Sequence, residues 1–158
     1  MCSSNFVLMS IEKDIQQRIF LTSRHKAVAN VLYTYGWELE RIQKILAKEN
    51  ITHQQFNILR ILRGSYPNPL STLQIRERML DKMSDTSRIV DRLILKDMVV
   101  KTISSKDKRL VDVIINDKGL DLLKRIDEVD IVSQIMTNMS EEEAEQLSNL
   151  LDKMRCSN

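Results

Sequence analysis

The chain is 158 residues long, 42% hydrophobic and 29% charged, with a formal net charge of +2. That balance is ordinary for a folded domain, argues against a disordered chain, and leaves little bulk positive charge for holding nucleic acid by charge alone. No run of about 18 apolar residues occurs, so a helical membrane span is not expected. The opening Met1–Met9 lacks the basic n-region and long apolar core of a signal peptide, so a cytoplasmic location is expected.

From Ile11 to Glu49 there is no proline, and apolar residues recur at helical spacing through Ile15, Ile19, Val28, Val31, Leu32, Tyr35, Leu39 and Ile42. This predicts one long helix, with Gly36 as the place for a break. A helix of that length in a small domain leaves part of its apolar face wet and asks for a partner surface. The next helix begins at Thr52, where Thr52 and Gln55 form a capping box and Ile51 with Phe56 a hydrophobic staple; it ends near Gly64. Ser65–Pro69 reads as a rigid loop. Ser71 with Gln74, stapled by Leu70 and Ile75, opens a short helix to about Leu80.

A turn at Asp81–Met83 leads to Ser84 and a third helix reaching about Lys96. Ile89, Val90, Leu93 and Ile94 face inward, and Asp85, Thr86, Ser87 and Arg88 face outward at its start. The period then changes to two. Val99–Ser104 and Leu110–Ile115 are β-branched strands flanking a polar tip, Ser105–Arg109. Asn116 caps the following helix, with Asp117 in its first turn. That helix carries Leu120, Leu122, Leu123, Ile126, Val129, Val132 and Met136. A last capping box at Ser140 and Glu143 opens a final helix through Leu147, Leu150, Leu151 and Met154.

Two short helices followed by a hairpin with a charged tip outline a winged helix-turn-helix, a mainly α fold with a small β-hairpin wing. An α-helix fits the major groove of B-DNA, and an extended basic loop reaches the neighbouring minor groove or its phosphates. The third helix would then read DNA through Ser84, Thr86, Ser87, Arg88 and Arg92. Lys106, Lys108 and Arg109 would form the wing, with Asp107 orienting Arg109 by a charge-assisted pair. Singly, each of these reads as a solvated surface charge or hydroxyl; in this order they point together to double-stranded DNA. The charge is also uneven. Ser84–Arg109 holds seven basic residues against four acidic, whereas Asp117–Arg155 holds ten acidic against five basic. The phosphate-facing surface is therefore local.

Ile89-Val90-Asp91-Arg92-Leu93, the wing Asp107-Lys108-Arg109 and the exit Ile115-Asn116-Asp117-Lys118-Gly119 resemble the MarR family of bacterial transcriptional regulators. The family pattern is roughly a V-D-R-L recognition helix, a D-x-R wing and an L-T-x-x-G helix start. Here Ile-Asn stands for Leu-Thr, and the wing is less Arg-rich than many. The resemblance spans most of the chain and implies a homodimer. Its helical dimerisation arms, residues 6–50 and 117–156, would intertwine between two winged domains, residues 51–116. It further implies a pseudo-palindromic operator with half-sites ~34 Å apart, and a repressor that releases DNA when a small phenolic or anionic effector binds or a cysteine is oxidised. An effector pocket would involve Tyr33, Trp37, His53 or Phe56; the i,i+4 spacing of Tyr33 and Trp37 also describes core packing.

The two cysteines, Cys2 and Cys156, stand at opposite ends with no CxxC pair. They read as free thiols, with a redox sensor as the alternative should the two ends meet. No glycine-rich phosphate loop, HExxH or G-x-S-x-G motif occurs, and His25 and His53 have no nucleophile alongside, so neither an enzyme nor a cofactor or metal site is expected. The remaining alternative is a winged protein-interaction module that does not bind DNA.

Overall fold

All three S/T-x-x-E/Q motifs open helices, because each pairs two otherwise orphaned backbone N–H groups. Gln55 N donates to Thr52 Oγ1 while Thr52 N donates to Gln55 Oε1. The same reciprocal pair joins Ser71 to Gln74 and Ser140 to Glu143. The computed structural model describes residues 9–103 and 111–156. Its elements are α1 (Ile11–Asp14), α2 (Ser23–Lys48), α3 (His53–Arg63), β1 (Leu70–Ser71), α4 (Thr72–Arg78), α5 (Thr86–Leu95), β2 (Val99–Ile103), β3 (Val111–Ile115), α6 (Asp117–Glu128), α7 (Ile131–Ile135) and α8 (Glu141–Arg155). No helix among the described residues is long and apolar enough to cross a membrane.

The chain divides into two units, residues 1–41 and 42–158. In the first, the expected long helix is interrupted well before Gly36. Gln16 adopts a left-handed conformation (φ 55°) after α1, and α2 starts afresh where Thr22 Oγ1 accepts from His25 N at 3.2 Å. The Thr22 hydroxyl is thus an N-cap inside what the apolar spacing reads as continuous helix. α2 then passes Gly36 unbroken; one glycine costs a long helix about 1 kcal/mol, too little to end it. Lys26 Nζ lies 2.5 Å from Glu12 Oε1, and this hydrogen-bonded ammonium holds the Glu12 carboxyl below its usual range.

In the second unit, α3 packs on α4, α5, α6 and β3. Leu46, Ile58, Leu59, Leu62, Ile75, Val90, Leu93, Val113, Ile115 and Leu123 form a continuous hydrophobic core. The sheet is antiparallel in the order β1-β3-β2, with Leu70 opposite Val113 and Val99 opposite Ile115. Val113 and Ile115 turn inward as the alternation predicts. On β2 only Val99 is buried, so that strand has a single core-facing side chain.

β3 enters α6 through Asn116, whose Oδ1 accepts from Gly119 N at 3.0 Å while its Nδ2 donates to Asp97 O at 3.0 Å. One side chain therefore caps α6 and ties it to the turn after α5. Gly119 sits where a Cβ would lie 2.5 Å from Met98 O and 2.7 Å from Ile115 Cγ1. Arg63 and Asp127 pair at 2.5 Å, and Arg125 and Glu49 at 2.9 Å, across the α3, α6 and post-α2 surfaces. α6 does not run on to Met136. It ends at Glu128, and Asp130 turns left-handed (φ 47°) to cap α7 by accepting from Ser133 N. The apolar spacing continues through that break, and the cap overrides it.

Candidate nucleic-acid interface

The start of α5 is built by two aspartates. Asp81, in the turn after α4, accepts from Ser84 Oγ at 2.6 Å and from Met83 N at 3.0 Å. These bonds, Ser84's first, hold its carboxyl below the ordinary aspartate range. Asp85 is the N-cap, its Oδ1 accepting from Arg88 N at 3.2 Å. The helix therefore begins at Thr86 rather than at Ser84. Ser84 is half-buried and committed to the turn.

Thr86 corrects the expectation that it faces outward. It is only 5% exposed, and its Oγ1 donates to Met79 Sδ at 3.3 Å. The cause is periodicity: Thr86, Val90 and Leu93 fall at i, i+4 and i+7 on the buried stripe of α5. The residues left on the outer surface are Ser87, Arg88, Asp91, Arg92 and Leu95. Arg88 Nε lies 3.5 Å from Asp85 Oδ2, an exposed pair of small energetic weight that leaves the guanidinium available. Asp91 Oδ1 accepts from Lys101 Nζ of β2 at 3.1 Å, fastening the hairpin base to α5. Arg92 lies one turn beyond Arg88 on the same exposed side.

An open groove of about 410 Å³ separates the starts of α4 and α5, lined by Thr72, Leu73, Arg76, Met83, Asp85 and Ser87 among others. Sequence reasoning passed over Leu73, Arg76 and Met83. Their signal is position: they stand at the start of α4 and in the turn before α5. The strand pairing runs out to Ile103 opposite Val111. The wing residues Lys106, Lys108 and Arg109, and the expected orienting role of Asp107, lie outside the described residues.

The four effector-pocket candidates fall in different units. On α2, Tyr33 is exposed, and Trp37 is half-buried with the Arg41 guanidinium 4.2 Å from its ring centroid. In the second unit, His53 Nδ1 lies 3.4 Å from Gln43 Nε2. Burial lowers the His53 pKa, and the charge of Asp81 opposes that shift. Phe56 is half-buried beneath the Arg60 guanidinium, 5.7 Å from its centroid. Cys156 is an exposed free thiol, and Cys2 lies outside the described residues.

Comparison with known proteins bears on this arrangement. Residues 51–111 match the MarR family. The HTH-type transcriptional regulator MhqR of Bacillus subtilis (strain 168) is 26% identical over 117 residues, covering 73% of this chain and 79% of MhqR. A mutant MarR of E. coli, solved in complex with operator DNA, shares the fold at a TM-score of 0.75 and 19% identity, covering 87% of this chain and 100% of its own. The organohalide-sensing RdhR-CbdbA1625 transcriptional regulator, solved in its 2,4-dichlorophenol bound form, gives a TM-score of 0.76 at 22% identity, covering 85% of this chain and 80% of its own. The winged segment, residues 51–111, therefore matches the MarR family, and the three-stranded, mainly helical fold is the one seen in solved MarR-type transcription regulators.

Proposed function

We propose that this protein is a homodimeric, sequence-specific repressor that binds a pseudo-palindromic operator and releases it when a small phenolic or anionic effector binds. The observation that carries the reading is the outer face of α5. Ser87, Arg88 and Arg92 are exposed there, while Thr86, Val90 and Leu93 anchor the helix to the core. A helix so held presents side chains to a major groove without reorganising. Arginine is the usual donor to guanine O6/N7, and serine suits phosphate or base edges. The E. coli MarR complex with operator DNA supports the DNA partner, and the dichlorophenol-bound regulator supports a phenolic effector.

The dimer is supported by apolar surface that the single chain leaves wet. Val28, Leu32 and Tyr35 on α2 are exposed at i, i+4 and i+7, and Leu147, Leu150 and Met154 on α8 at i, i+3 and i+7. Stripes of this kind mark protein interfaces.

Fluorescence anisotropy of the full chain on DNA from upstream of its own coding region, against a scrambled duplex of equal length, tests the reading. Tighter binding to the native sequence is expected, weakening steeply with salt and reversed by titrated 2,4-dichlorophenol. Equal binding to both duplexes would overturn it.

A further inference from the structure

Two side chains on the proposed DNA-facing surface have no part in its polar chemistry. Leu73, the second residue of α4, is 59% exposed, and Met83, in the turn before α5, is 93% exposed. Both line the groove between the starts of the two helices. Single exposed apolar residues are common, but two flanking one groove beside a DNA-reading helix ask for an apolar partner.

The polar inventory of the same surface narrows what that partner is. Arg76 lines the groove, and Arg88 and Arg92 follow along α5; all three suit guanine or phosphate. Adenine is read most directly by Asn or Gln, bidentate to N6 and N7. Neither residue type occurs between Ser84 and Asp97 or on the groove lining. Gln74, on α4, is already used: its Oε1 accepts from Ser71 N at 2.9 Å. Asp85 on the groove rim repels phosphate, so the groove favours base edges over backbone. The Thr72 and Ser87 hydroxyls on the lining can bond any base and do not discriminate, so what marks an A·T pair for this groove is the C5-methyl of thymine, which takes apolar contact.

Resting on the DNA-binding reading above, we propose that Leu73 and Met83 are specificity-determining residues that seat a thymine C5-methyl in each operator half-site. The groove so reads A·T pairs by shape and apolar contact, and the arginines of α5 read G·C pairs by hydrogen bonds.

The test begins by enriching duplexes from a random pool with the full-length protein, then replacing each half-site thymidine by deoxyuridine, which removes only the methyl. At one or two positions wild-type affinity is expected to fall about fourfold, the worth of one buried methyl-sized group. The double variant Leu73→Ala, Met83→Ala should bind the thymidine and deoxyuridine duplexes equally. Both side chains are exposed, so their shortening leaves the fold in place, and circular dichroism checks this. Three results overturn the assignment while leaving sequence-specific binding intact: enriched half-sites without thymine, a wild type indifferent to every deoxyuridine, or a double variant that keeps the full methyl penalty. Failure to enrich any sequence overturns instead the DNA-binding reading on which it rests.

Discussion

Thr86 and Arg88 stand two residues apart and do different work. The Thr86 hydroxyl is buried against Met79 Sδ, and Arg88 extends into solvent with only an exposed contact to Asp85. Thr86→Val keeps the shape and removes one weak hydrogen bond, so it should cost about 1 kcal/mol of stability in thermal denaturation and leave DNA affinity unchanged. Arg88→Ala should do the reverse, losing about 1–3 kcal/mol of operator binding and relaxing preference at one base pair while the melting temperature holds. Anisotropy on matched and single-substituted duplexes separates the two; equal loss of affinity in both variants would remove the distinction. The split was legible in part. Ser87, Arg88 and Arg92 can be placed outward from sequence, and Thr86, short and polar, reads the same way although it is buried. Its spacing to Val90 and Leu93 puts it on the buried stripe, a signal that the polarity of its side chain masks.

At the scale of elements, the two described helical glycines with contrasting surroundings make opposite predictions. Gly119 has no room for a Cβ between Met98 O and Ile115, and the Met98 carbonyl is backbone that cannot step aside. Gly119→Ala should therefore destabilise by about 1–3 kcal/mol through overpacking. Gly36, in exposed mid-helix, has nothing within 4 Å, so Gly36→Ala should stabilise by about 0.5–1 kcal/mol. Denaturant titrations of both variants check the signs. A second prediction belongs to the start of α3, where burial lowers the His53 pKa below 6.5 and Asp81 partly offsets it. The folded state favours neutral imidazole, so its contribution is complete above the unfolded pKa and is lost as pH falls through the lowered folded value. Melting temperature should fall from about pH 7.5 to about pH 5, and less steeply in His53→Gln. An identical profile in both proteins would dismiss His53 as the cause. Capped helices were legible at this scale because a capping box is local, as Thr52 with Gln55 and Ser140 with Glu143 show. β1 was not: Leu70 and Ser71 become a strand only by pairing with Val113 and Asp112, a long-range event with no local signature. The left-handed residues Gln16 and Asp130 end helices whose apolar spacing runs straight through them.

At the scale of the whole molecule, a net charge of only +2 gives little bulk attraction to DNA, so in the proposed dimer two linked half-site contacts would supply much of the operator affinity. The long apolar run of the N-terminal region already asked for a partner in the sequence, and Leu32 on α2 and Leu150 on α8 remain 67% and 65% exposed. Because both are exposed in the single chain, Leu32→Glu and Leu150→Glu should change protomer folding by no more than about 0.5 kcal/mol. If their faces bury each other's copies in the proposed dimer, the added charges are desolvated there and shift the equilibrium to monomer. Sedimentation velocity should show one 18.4 kDa species for the variants and twice that mass for the wild type. Linking two half-site contacts raises apparent affinity by about 10²–10⁴. The monomeric variants should therefore lose on the order of 100-fold affinity for a two-half-site duplex yet match wild type on a single half-site. Retained tight binding by a proven monomer would place the affinity in one winged domain and remove the dimer from the mechanism.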